Sequence, residues 1–85
     1  MPKFLIERNF SDQMEYDRDI AMQITTVSSD MGMQWLFSFL SADKKKTYCL
    51  FEAPNAEVVR QHAQRLNIPA DVVIEVSDVN AEMFL

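Results

Sequence analysis

With 85 residues there is room for one hydrophobic core, so residues 1–85 are read as a single domain. A net charge of −5, with one short basic run from Lys44 to Lys46, excludes an electrostatic footprint for a phosphate backbone, and nucleic acid is not an expected partner. The lone cysteine, Cys49, excludes an internal disulfide or a cysteine-rich zinc cluster and suits a reducing cytoplasm. A small core without such supports gains from oligomerisation. The opening MPKFLIER has three consecutive apolar residues before Glu7 and Arg8, too few for a signal core or a membrane span.

Taken in chain order, Lys3 to Arg8 is short, apolar-rich and bounded by Pro2, Asn9 and Ser11, the marks of a strand. Tyr16, Ile20, Ile24, Val27 and Met31 recur at spacings of four, four, three and four, which predicts one face of a helix. Asp12, Glu15 and Asp17 near its start suit the helix dipole, and Gly32 follows Met31 where a cap needs positive φ. Met33 to Ser41, MQWLFSFLS, predicts a second strand, apolar on both faces. A polar turn from Ala42 to Lys45 leads into a third strand, KTYCLFEA, and the pair reads as an antiparallel hairpin. Pro54 ends that strand and Asn55 caps a second helix, AEVVRQHAQRL, whose stripe is Val59, His62, Ala63 and Leu66. Asn67 and Pro69 close it, and Val72 to Val79 supplies a β-branched last strand.

This βαββαβ order predicts an α+β, ferredoxin-like sandwich with an antiparallel sheet of order 4-1-3-2 and both helices on one face. Alternation assigns Phe4, Ile6, Leu36, Leu40, Cys49, Phe51, Val72, Ile74 and Val76 to the helix side. Leu5, Glu7, Trp35, Phe37, Phe39, Tyr48, Leu50, Glu52, Val73 and Glu75 fall on the open face. So apolar a surface needs a cover, and a second copy is the simplest, giving a homodimer of dimeric α/β-barrel type. Trp35, Phe37, Phe39, Tyr48 and Glu52 would then line the dimer face or a cleft within it.

Two groups of side chains could carry chemistry. Glu7, Tyr48 and Glu75 are expected near one end of the open face, where paired carboxylates either raise a pKa or recruit a cation, or stand as separate rim charges. His62 on or beside the apolar stripe of the second helix is either a metal ligand partnered by Cys49, with Glu52 a harder donor, or a core-edge imidazole hydrogen-bonded to a backbone carbonyl or carboxylate. Cys49 alone reads as a small buried hydrophobe, and the methionines do not recur at a ligand-like spacing. The strong local motifs are absent: no glycine-rich phosphate loop, nucleophile elbow, HExxH or CxxC.

MPKFLIER, QWLFSF, KTYCLFEAPNAEVVRQHA and IPADVV together resemble the DUF4242 family of small bacterial proteins, which includes nickel-binding members. The resemblance implies a ferredoxin-like fold, a dimer built through the sheet, and nickel or another divalent metal as ligand, with His62, Cys49, Glu7 and Glu75 the donors available here. In the family pattern the residue two after the tryptophan is often histidine, whereas this chain has Phe37, whose benzyl group offers no lone pair. The leading expectation is a small dimeric binding protein for a metal or small organic ligand, not an enzyme. Its alternatives are an isomerase or cofactor-free oxygenase using the aromatic cleft, and an interaction module that docks another protein.

Overall fold

The alternation in KFLIERN decides the first strand, β1 (Lys3–Asn9): Phe4, Ile6 and Arg8 are buried on one side and Lys3, Leu5 and Glu7 are half-buried on the other. The structure is a computed structural model and describes residues 1–85. The first helix, α1 (Arg18–Asp30), starts later than the apolar spacing suggests, because Asp17 is its N-cap and accepts a hydrogen bond from the Ile20 amide. Asp12 and Glu15 therefore precede the helix and belong to an irregular segment laid across the sheet end. Gly32 follows the helix at φ 69°, the left-handed conformation its lack of a side chain permits.

The hairpin strands are β2 (Gln34–Leu40) and β3 (Lys46–Glu52). The turn between them is held by Ser41 and Asp43, whose oxygens accept from the Lys46 and Lys45 amides. The second helix, α2 (Ala56–Leu66), runs from the Asn55 cap to Asn67, which adopts the left-handed conformation at φ 55°. β4 (Val72–Val76) ends the sheet, and a short 3-10 turn, η1 (Ala81–Phe84), follows it.

The four strands lie in the order β2-β3-β1-β4, each neighbouring pair antiparallel, with the two helices against one face. The core sits in that layer: Phe4, Ile6, Cys49 and Phe51 from the sheet meet Ile24 of α1 and Val59 and Ala63 of α2. Full burial of a side chain the size of Phe51 or Ile6 contributes about 1.5–3 kcal/mol. No helix is long and apolar enough to cross a membrane.

Two strands depart from the parity that alternation assigned, β2 at Trp35 and β4 throughout. In β2 the register shifts between Trp35 and Phe37, so Leu36 is the extra residue of a bulge. Trp35 stands opposite buried Phe51 and faces the helices, whereas Phe37 and Phe39 keep the open face opposite Leu50 and Tyr48. In β4 the register against β1 is one residue from that assumed: Val73 and Glu75 lie opposite Ile6 and Phe4 on the helix side, and Val72, Ile74 and Val76 occupy the open face.

The open face is therefore three rows across β2, β3, β1 and β4. The central row, Phe37, Leu50, Leu5 and Ile74, is wholly apolar. Phe39, Tyr48, Glu7 and Val72 flank it on one side, and Gln34, Glu52, Lys3 and Val76 on the other. Phe37 and Ile74 are each 50% exposed and Phe39 is 64% exposed, with the two phenylalanine rings packed edge to face at 5.4 Å.

Candidate functional site

On the helix side the layers do not close completely. A cavity of about 340 Å³ lies between the sheet, α1, the end of α2 and the irregular segment before α1. Most of its lining is hydrophobic, including Trp35, Phe51, Ile24 and Leu66, and four polar side chains, Arg8, Glu15, Tyr16 and Gln23, reach its wall. A mostly apolar cleft of this size with a few placed polar groups is the form a small-molecule site takes.

Each wall residue has a local reason for its place. Arg8 occupies the helix-facing parity of β1, two residues beyond Ile6, and is 2% exposed. Its Nη1 donates to the Pro69 carbonyl at 2.5 Å. Tyr16 enters just before the Asp17 cap and stacks on Trp35 at 5.9 Å, while Trp35 stacks on Phe51 at 6.4 Å. The bulge at Leu36 is what turns the indole inward, and its Nε1 donates to the Ser38 hydroxyl at 2.9 Å. Glu15 is tied to Lys44 of the hairpin turn, whose ammonium, by hydrogen bond and charge, holds the carboxyl below its ordinary value.

The Cys49 sulfur lies 3.5 Å from the Tyr16 hydroxyl and 3.7 Å from the Thr47 hydroxyl. Burial pushes the thiol up, but hydrogen bonds from Ser38, Tyr16 and Thr47 and the positive charge of Arg8 outweigh it, and the net shift is downward. Tyr16 is moved the other way, chiefly by burial and then by Cys49. The two groups thus form one polar spot in an apolar wall.

His62 is fully buried on α2 and meets the edge of Phe51 at 5.1 Å. Its Nε2 lies 2.9 Å from the Ser28 hydroxyl, which itself donates to the Ile24 carbonyl at 2.6 Å. A hydroxyl has one proton to give, so Nε2 carries the hydrogen and Nδ1 holds a lone pair with no partner. Burial, above all, and the charges of Arg8 and Arg65 lower the imidazole pKa, against an opposing backbone hydrogen bond at Ile24.

The residues expected to act together are distributed differently. Glu7 and Tyr48 do stand directly opposite each other on the open face, where Glu7 is 3.8 Å from Lys46. Glu75 is at the far end of the sheet on the other face, opposite Phe4, because of the β4 register. Cys49 and His62 belong to the helix layer and Glu52 to the open face beside Lys3. Trp35 lines the cavity and is not part of the open face. Arg8 and Tyr16 were not among the candidate residues; the signal available was a charge at the helix-facing parity of an otherwise apolar strand.

A four-stranded antiparallel sheet and two helices on one face, with a mostly apolar cavity between the layers, define a small α+β protein. Residues 4–76 match the family described as nickel responsive protein SCO4226-like, and the chain belongs to that family. The crystal structure of SCO4226 from Streptomyces coelicolor A3(2) is similar, with a TM-score of 0.71 at 21% identity over 92% of this chain and 99% of that one, a likeness of fold. No curated protein matches.

The family description makes nickel the group to test against these side chains. No three histidine, cysteine, aspartate or glutamate side chains converge in a metal-binding group. His62 offers one free lone pair, at Nδ1, but that atom is enclosed, and Glu7 and Glu52 lie on the opposite side of the sheet. Within one chain the donor set does not fit a nickel centre, which needs several imidazole, thiolate or carboxylate ligands.

Proposed function

We propose that this chain is a small homodimeric binding protein that receives an organic ligand in the pocket between sheet and helices. The observation that carries the reading is the pocket itself: about 340 Å³, mostly apolar, with polar groups on its wall. The fold is read as ferredoxin-like and the pair as of dimeric α/β-barrel type, in keeping with the DUF4242 resemblance. The second copy covers the open face, whose apolar central row has Lys3 and Glu52 on one side and Glu7, 3.8 Å from Lys46, on the other. We read the compartment as the cytoplasm, which a chain with one free, buried cysteine suits.

A carboxylate acting as general base would need a raised pKa, and Glu15 at the pocket is lowered, so nothing favours the isomerase or oxygenase alternative. Nickel or another divalent metal is the second reading, supported by the family description. Two measurements separate the readings. Small phenyl and alkyl compounds should quench the fluorescence of Trp35, the only tryptophan, saturably, and an absence of saturation ends the pocket reading. Nickel added to metal-free protein should move Tm by less than about 1 °C. A stoichiometric rise that His62→Ala removes would establish the metal reading instead.

A further inference from the structure

Arg8 is a buried cation without an anion. It is 2% exposed, and none of the ion pairs, Lys3 with Asp78, Lys44 with Glu15, Lys46 with Glu7 and Arg65 with Asp30, involves it. Its one hydrogen bond is from Nη1 to the Pro69 carbonyl, while a guanidinium has five N–H groups to place. The only enclosed side-chain nitrogen or oxygen lacking a partner is His62 Nδ1, so the remaining Arg8 nitrogens keep contact with open space. Arg8 is also one of the residues that line the cavity. Removing a charge from water without a counterion is costly, whereas a planar fork of N–H donors matches a carboxylate with two parallel hydrogen bonds.

The rest of the wall fixes the remainder of the ligand. The only carboxylate there, Glu15, is already neutralised by Lys44. Stacked Tyr16, Trp35 and Phe51 provide flat aromatic and aliphatic contact along one side. The downward shift of Cys49 and of His62, to both of which Arg8 contributes, marks its positive field at this end of the layer. We propose that the pocket binds a small carboxylic acid, its apolar body against Tyr16, Trp35 and Phe51 and its carboxylate on the Arg8 guanidinium. This rests on the pocket reading and adds the chemical class of the ligand.

The test compares acids with their uncharged amides, 3-phenylpropanoate with 3-phenylpropanamide and hexanoate with hexanamide, by quenching of Trp35 and by amide chemical shifts of the pocket residues. The acid of each pair should bind at least about tenfold tighter to the native protein. Arg8→Met should bring acid and amide to equal affinity, a change that a merely structural role of Arg8, in holding the Pro69 carbonyl, would not produce. Equal affinities in the native protein would overturn the carboxylate assignment and leave the pocket as a binding site. Binding of neither would remove both. Should Arg8→Met fail to fold, the acid-to-amide ratio of the native protein decides alone.

Discussion

Burial at His62 links the core to pH. In the unfolded chain the ring takes up a proton near its ordinary value of 6.5, whereas in the fold it does so only at lower pH. The stability this contributes is complete above about pH 6.5 and declines as pH falls below it towards the folded value, because the unfolded state binds more protons there. His62→Gln, which keeps a donor for Ser28 but does not titrate, should lower stability at pH 7.5 and flatten its decline between pH 7 and 5. Urea midpoints across that range measure both effects. Of the two readings of His62 from sequence, the core-edge imidazole bonded to a carbonyl or carboxylate is the nearer, but the ring is fully buried and its side-chain partner is the Ser28 hydroxyl. Its partner was not legible, since Ser28 lies 34 residues away on the other helix and meets it only when α1 and α2 pack.

At the scale of elements, caps and breakers were the legible part. Asn55 starts α2, Gly32 and Asn67 stand at helix ends where their conformational preferences allow, and two helices and four antiparallel strands follow from periodicity. Parity was less legible, because β2 and β4 are apolar on both faces and alternation cannot choose between registers for such strands. An inserted residue at Leu36 and a one-residue slip in β4 then exchange faces for Trp35, Val73 and Glu75. Adjacent substitutions in β4 test the assignment. Val73→Asp places a charge against the core and should cost about 3 kcal/mol or more, whereas Ile74→Asp, at a half-exposed position, should cost about 1 kcal/mol or less. Equal losses in denaturant unfolding would show that the register is otherwise.

For the whole molecule, the two errors of parity nearly offset each other. The open face loses Trp35, Val73 and Glu75 and gains Val72, Ile74 and Val76, so its apolar character, inferred from alternation alone, survives a change in its members. Phe39→Asp on that face should give a monomer by sedimentation with the far-ultraviolet spectrum unchanged. A native protein that sediments as a monomer at micromolar concentration would end the dimer proposal. The pocket, by contrast, had no sequence signature. It depends on residues 10–17 remaining irregular so that Tyr16 can reach Trp35, and the helical spacing that begins at Tyr16 concealed this.

The bulge at Leu36 does more than turn an indole. β2 and β4 are the two edges of the sheet, each with unpaired amides and carbonyls that could recruit another strand into an endless ribbon. The extra residue in β2 breaks the regular ladder along one edge, and Glu75 on the helix-side parity of β4 sets a charge against the other. Growth sideways is thereby discouraged at both ends while the broad apolar face stays open. In the proposed dimer the contact on that face is complete with two copies, so the edges would add no further strands.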